Sequence, residues 1–433
     1  MITIIIILFV IGYAAIALEH NIKINKTASA LITGVVLWVV YILTQSDTHL
    51  VNEELLKHLG DISSILFFLM GAMTIVELID TYNGFEVITE RITQTKKVSL
   101  LWIIGILTFF LSAVLDNLTT TIVMVSLLRK LIKDHETRLF YVGIVVIAAN
   151  AGGAWSPIGD VTTTMLWIGG QISAFNIMAR LFAPSFISLA IPLGVLSLTM
   201  KGRVERPFLA TETYKELSRR QQSIILILGL SMLIMVPIFK TLTHLPPFMG
   251  MMLGLGVLWI VTDIMHRNHT EDQPENGKRR TVTDVLTRID LPSILFFLGI
   301  LLAVASLEVS GILHTLSQFL DEKIGNLNFI VIAIGLASAI IDNVPLVAAT
   351  QGMYDLAQFP MDHYLWEFLA YCAGTGGSIL IIGSAAGVAA MGMEKINFFW
   401  YVKKISWLAL LGYLAGAAFY IVEYYFSHGA FYH

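Results

Sequence analysis

Runs of apolar residues recur along the whole chain, at about 2–18, 27–45, 62–80, 100–115, 118–132, 139–171, 180–199, 221–241, 247–266, 290–310, 327–341, 344–358, 365–391 and 400–425. A helix needs about 20 such residues to cross a bilayer. Inside hydrocarbon every backbone N–H and C=O must be satisfied within the protein, so continuous apolar runs of this length fold as helices. The composition agrees: 56% of the 433 residues are hydrophobic and 13% are charged, against roughly a quarter charged in an ordinary soluble domain. With a mean hydropathy of +0.77, a soluble enzyme with a polar surface is excluded. The 27 Lys and Arg against 31 Asp and Glu give no basic surface for nucleic acid. A lone cysteine, Cys372, has no intramolecular disulfide partner. The predicted fold class is an all-α polytopic membrane protein.

Two pairs of windows are unusual. The pieces 100–115 and 118–132 meet at Asp116-Asn117, and the pieces 327–341 and 344–358 meet at Asp342-Asn343. Short apolar pieces joined by a polar tip predict re-entrant hairpins rather than crossings. The hairpins take 98–132 and 327–358, and about ten full transmembrane helices remain. Positive charge collects on the cytoplasmic side. With the N-terminus outside, 23 of the 27 Lys and Arg fall in inside loops, and Lys57, Arg180, Lys240 and Lys323 remain outside. One crossing for each hairpin is the competing count. Both termini are then expected to lie outside. Residues 1–18 carry no positive charge before their apolar run, which favours a retained span over a cleaved leader.

The sequence also repeats itself at a shift of about 225 residues. The run from Asp61 to Leu69 echoes that from Asp290 to Leu298, Ser112–Asn117 echoes Ser338–Asn343, and Gly152-Gly153 with Gly159 echoes Gly376-Gly377 with Gly383. An odd number of crossings separates each element from its copy, so the halves are expected to be inverted, at 1–199 and 221–433 with a cytoplasmic linker at 200–220. Inverted repeats with interrupted helices are a frequent plan of secondary transporters, which bind near the bilayer midplane. The loop at 267–289 is polar and reads as a connection, not a domain.

Four places interrupt the helices: the two tips, Ala151–Thr164 within the broken helix 139–171, and Gly374–Gly387 within the broken helix 365–391. Carboxylates stand in three of them, at Asp116, Asp160 and Asp342. A charge at mid-membrane costs about 2.5–3.5 kcal/mol on insertion scales, so it marks a functional candidate. The competing structural reading is that each Asp caps the half-helix after it, which gains only about 1 kcal/mol. Small-residue packing likewise competes for the glycines. Burial favours the protonated form of a carboxylate and a bound cation favours the ionised form, so the two ligands compete. Asn117, Thr119, Asn150, Thr162, Thr163, Ser338, Asn343, Ser378 and Ser384 are placed to complete an oxygen shell. Glu77 and Glu308 stand near span ends and are weaker candidates. The chain has no P-loop, zinc-type histidine motif or cysteine cluster, which disfavours ATP-driven transport within it.

At these positions the sequence resembles the NhaD-type sodium/proton antiporters, in a superfamily that includes arsenite permeases and dicarboxylate carriers. The motifs are Leu115–Thr121, Asn150–Thr164, Ile341–Pro345 and Gly374–Ser378. The resemblance implies Na⁺ or Li⁺ extrusion against proton entry in a bacterial inner membrane, without a cofactor. It assigns ion binding and proton exchange to Asp116, Asn117, Asn150, Asp160, Thr162, Thr163, Ser338, Asp342, Asn343 and Ser378. Asp116, Asp160, Thr162 and Asn343 are the expected direct cation ligands. It further implies a homodimer, each chain having a scaffold and a moving part that holds both hairpins and both broken helices. An anion permease of the same superfamily is the main alternative, and a cation channel with a carboxylate ring a lesser one. Asp at both tips separates these readings, because it repels the dianion that helix N-termini alone would attract.

Overall fold

The computed structural model describes residues 2–206, 218–267 and 282–428. Parts of the linker at 200–220 and most of the polar loop at 267–289 lie outside the described residues. The first half runs α1 (Ile2–Ala17), α2 (Glu19–Ile22), α3 (Lys26–Thr44), α4 (Thr48–Thr81), α5 (Glu86–Thr89), α6 (Lys97–Leu115), α7 (Asn117–Leu131), α8 (His135–Ala154), α9 (Val161–Ile168) and α10 (Ala174–Thr199). The second runs α11 (Arg219–Thr243), α12 (Pro247–Arg267), α13 (Val282–Leu286), α14 (Leu291–Val309), α15 (Ile312–Lys323), α16 (Leu327–Ala337), α17 (Asn343–Met353), α18 (Tyr364–Gly376), α19 (Ala385–Glu394), α20 (Phe398–Tyr401), a π turn at Val402–Ser406, and α21 (Trp407–His428). The chain is an all-α polytopic membrane protein. Among the described residues, nine helical stretches are long and apolar enough to cross a membrane.

Polar residues at the entrances start the helices. Asn25, Asp47, Asp134, Asp290 and Asn326 each accept a backbone N–H of the first turn, satisfying donors that no helical carbonyl reaches. Ser218 and Gln221 form a reciprocal capping box at α11. Helix α4 begins well before its apolar window because the Asp47 cap nucleates a polar, amphipathic segment that continues into the membrane run.

The helices pack as two groups. In one, α3 lies along α14, α1 along α3, and α4 against α12 and α14. A Cβ on Gly34 would stand 2.6 Å from the Gly299 carbonyl oxygen, so this crossing is close enough to require glycine. Trp38 donates its indole N–H to the Leu302 carbonyl at 2.9 Å across the same seam. In the other group, α10 packs on α21, α8 on α6 and α7, and α18 on α16. The hairpins and the broken helices all belong to this second group, and it meets the first mainly where α14 touches α17, with smaller contacts of α4 with α9 and of α11 with α6.

Both feet of the first hairpin reach one short segment: Lys97 donates its N–H to the Gly202 carbonyl at 3.0 Å, and Lys133 donates to Glu205 at 2.9 Å. Helices α6 and α7 therefore rise from, and return to, the same end of the molecule. The arms of the second hairpin, α16 and α17, have 11 residues each, about 16 Å at 1.5 Å per residue, too short to cross. Tyr354, at the end of α17, donates to Asp321, in the last turn of α15 that leads into α16, at 3.2 Å. Helix α8 stops at Ala154 and α9 starts at Val161; α18 stops at Gly376 and α19 starts at Ala385. The interruptions thus fall inside the segments where the glycines place them.

Candidate functional site

The site is built from the places where the helices stop. Asp116 ends α6 and caps α7 with φ 87° and ψ 160°, a backbone region almost confined to glycine that costs about 1–3 kcal/mol. Its Oδ1 accepts the Thr119 N–H and its Oδ2 the Thr119 hydroxyl, both at 2.8 Å. Asp160 caps α9 in the same manner. Its Oδ1 accepts the Thr162 N–H at 2.9 Å and the Thr162 hydroxyl at 2.8 Å. Only 2% of Asp160 is exposed.

Asn117 joins these elements. Its amide nitrogen donates to Asp160 Oδ2 at 2.7 Å and to the Asn150 Oδ1 at 3.2 Å. Asn150, fully buried in α8, donates in turn to the Ser384 hydroxyl at 3.0 Å and to its own helix at Val146. Ser384 caps α19 by accepting the Gly387 N–H at 3.2 Å. The side chain of Asn343, at the second tip, faces Asp160. One network therefore joins the first tip, both broken helices and the residue after the second tip. A cavity of about 50 Å³ touches it, lined by Asp116, Asn117 and Thr164 and closed by Phe68, Ser293 and Phe297 of the other helix group. That volume suits a small ion or a water molecule, not a large solute.

The remaining expected residues hold the backbone. Ser338 donates to the Ala373 carbonyl at 2.9 Å, as Ser112 donates to Ala149 at 2.6 Å at the corresponding place in the first half. Ser378 donates to the Thr375 carbonyl at 2.7 Å. Thr163 donates to the Asp160 carbonyl at 2.9 Å and reaches the Gly153 carbonyl at 3.3 Å. Each break is closed by glycine against the neighbouring hairpin: a Cβ on Gly159 would stand 2.7 Å from the Ser112 carbonyl oxygen, and one on Gly383 2.7 Å from that of Ser338. Asp342 makes no hydrogen bond to the network, although its charge acts on Asp160, and its Oδ2 stands 3.7 Å from Lys26 Nζ. Among the described residues, no cationic side chain pairs with Asp116 or Asp160.

Sequence comparison fits this geometry. Residues 6–374 match the family model described as citrate transporter. Two Arabidopsis thaliana proteins named sodium/proton antiporter 1 and 2 are 53% and 50% identical to the chain, over 96% and 97% of it and 71% and 99% of their own lengths. The Na⁺/H⁺ antiporter NhaD of Alkalimonas amylolytica is 30% identical over 95% of this chain and 88% of its own. The chain belongs to the NhaD-type antiporter family. Like its family, it is a transporter and a multi-pass membrane protein.

In this NhaD-type chain three charged residues beyond the motifs are built into the structure. Glu367 of α18 is 2% exposed; it accepts hydrogen bonds from Tyr420 at 2.6 Å and from Asn176. It stands inside an apolar window, the same signal that singles out Asp160. Glu394, at the end of α19, takes Arg129 Nε at 2.6 Å and Arg138 Nε at 2.9 Å. Burial by itself would push its carboxyl up, but the two guanidiniums hold it below the usual carboxylate range. Lys26 counts in the sequence only as one more inside charge; nothing there pairs it with Asp342.

Proposed function

We propose that the chain is a secondary antiporter exchanging Na⁺ or Li⁺ for protons, with Asp116 and Asp160 alternately holding the cation and the proton. The observation that carries this reading is the pair of carboxylates at converging helix breaks, surrounded by neutral amide and hydroxyl groups and, among the described residues, by no compensating cation. A monovalent cation in the site would draw on the Asp116 and Asp160 carboxylates and on oxygens of Asn117, Thr162 and Asn343. Asn150 orients Asn117, and Ser338, Ser378 and Thr163 hold the interrupted backbone in place. Protonation neutralises the carboxylates and releases the cation; ionisation restores its site. Cation and proton then travel in opposite directions if only a loaded site crosses.

The two helix groups supply the parts for that movement. The hairpins and broken helices form the moving group, and α1, α3, α4, α11, α12 and α14 form the scaffold. The recurrence of the serine-to-carbonyl bond and of the glycine contacts in both halves supports two inverted repeats, 1–199 and 221–433, joined by the linker 200–220. The charge distribution supports both termini lying outside, and the similarity to a bacterial NhaD antiporter supports an inner membrane with those termini periplasmic. A homodimer is part of the same reading, and light scattering on the detergent-solubilised protein checks it.

The citrate-transporter family match favours a second reading, an anion permease. A cavity of about 50 Å³ lined by the Asp116 carboxylate opposes it, since a polycarboxylate would meet both repulsion and too little space. Sodium efflux from proteoliposomes under an imposed pH gradient separates the two. Exchange should occur in the native chain and be lost in Asp116→Asn and Asp160→Asn. Labelled citrate or arsenite moving while both variants stay active would establish the permease instead.

A further inference from the structure

The two hairpin tips carry the same Asp-Asn pair, but their carboxylates have different surroundings. At the first tip, both Asp116 oxygens accept from Thr119, a neutral residue. At the second, Asp342 Oδ1 accepts the Val344 N–H at 3.2 Å, while Oδ2 faces the Lys26 ammonium at 3.7 Å. Lys26 is held in place by the other helix group. Its Nζ lies 4.5 Å from the centroid of the Phe296 ring in α14, a favourable seat for an ammonium. Its backbone N–H donates to Glu19 at 3.2 Å, and the neighbouring Thr27 hydroxyl donates to the Pro292 carbonyl at 3.0 Å. The second asymmetry lies in the broken helices, where the cap is Asp160 in the first half and Ser384 in the second. The first half thus presents two carboxylates without a cation. The second presents one carboxylate with an ammonium 3.7 Å away, in a partly exposed pair.

We propose that Lys26 is a tethered cation filling the second of two related cation sites, so that the chain binds a single sodium ion, at the first half. This rests on the reading of Asp116 and Asp160 as cation ligands. An ammonium and a sodium ion carry the same charge, and a lysine on the same chain competes at high effective concentration. Sodium in the ordinary range would therefore not displace it from Asp342. Removing the ammonium while keeping the length of the side chain, as in Lys26→Met, opens the second carboxylate.

The test is radiosodium binding to the purified full-length chain, together with the sodium dependence of exchange in proteoliposomes. The native protein should bind one ion per chain, and its exchange should follow a single-site curve. Lys26→Met should bind about twice as much sodium with a steeper dependence, and Lys26→Met with Asp342→Asn should return to one ion. Lys26→Arg keeps the charge and should retain the single-site curve. Two ions bound by the native protein, or Lys26→Met with native stoichiometry and slope, would overturn the proposal. So would an altered slope that persists when Asp342 is also neutralised. Because native stoichiometry is itself decisive, the test does not depend on Lys26→Met folding. A native chain that exchanges no sodium refutes the antiporter reading instead, a distinct result.

Discussion

Asn150 in the first broken helix donates to Ser384 in the second at 3.0 Å, joining two helix breaks that are remote in sequence. The same Asn150 accepts from Asn117, which holds Asp160. Its replacement therefore does more than remove one bond. Asn150→Ala frees the Asn117 amide and leaves Ser384 without its donor, inside a buried network where partial satisfaction is costly. Exchange should fall by roughly ten-fold or more, because one neutral hydrogen bond is worth about 1 kcal/mol and several are disturbed together. Ser384→Ala removes the last link and the α19 cap but leaves the Asn117 bonds in place, and should cost roughly five-fold. Initial rates in proteoliposomes, normalised to folded protein by size exclusion, compare the two; equal effects would contradict the chain of bonds.

At Asp116 the backbone conformation gives a stability prediction independent of transport. Asp116→Ala and Asp116→Gly both remove the carboxylate and the Thr119 bonds, and both should lose exchange. Alanine still occupies φ 87°, and glycine does so without strain. The glycine variant should be the more stable by about 1–2 kcal/mol. Thermal unfolding in detergent measures the difference.

The Glu394 cluster ties the end of α19 to Arg129 at the end of α7 and Arg138 in the first turns of α8. Its folded-state carboxyl titrates below the unfolded one. The stabilisation is therefore fully present above the ordinary glutamate range near pH 4.5 and is lost as pH falls through the lower, folded value. Glu394→Gln should lower stability at neutral pH by about 2 kcal/mol, the range of a charge-assisted hydrogen bond lost to a half-exposed arginine. Unfolding of the variant should lack that acid-side loss, which melting curves at several pH values will reveal.

Gly159 and Gly383 close their breaks against the hairpins. A methyl group at either position would meet backbone oxygen at 2.7 Å, and backbone cannot rotate away. Gly159→Ala and Gly383→Ala should each destabilise by about 1–3 kcal/mol. Gly194→Ala, where nothing lies near the added atom, should not, and expression with melting temperature discriminates the three.

Much of this was legible before the fold was seen, for a physical reason. A charge or a Gly-Pro cluster within an apolar run is conspicuous, so Asp116, Asp160 and the limits of both breaks could be read directly. Hydropathy detects lipid-facing segments but not helicity as such, which is why the polar start of α4 and the amphipathic α15 were missed. Pairings across long sequence separations were also illegible: Lys26 with Asp342, and Arg129 and Arg138 with Glu394. Each of those residues has an ordinary explanation in its own neighbourhood, and only the packing brings the partners together. Glu367 is different. It stands within an apolar window, and the rule applied to Asp160 would have found it.

The Asn117 amide has a further consequence. Its nitrogen faces Asp160, the orientation in which an amide donates to a carboxylate. A cation arriving there needs an oxygen from that side chain and would be repelled by its N–H. One planar head holds both options, and half a turn about its last torsion exchanges them. The same half turn would set the Asn117 oxygen against Asn150 Oδ1, which now accepts from its nitrogen, so the orientation of Asn117 is tied to that of Asn150. An aspartate at 117 could not turn in that way, since its two oxygens are alike and both faces would read as occupied.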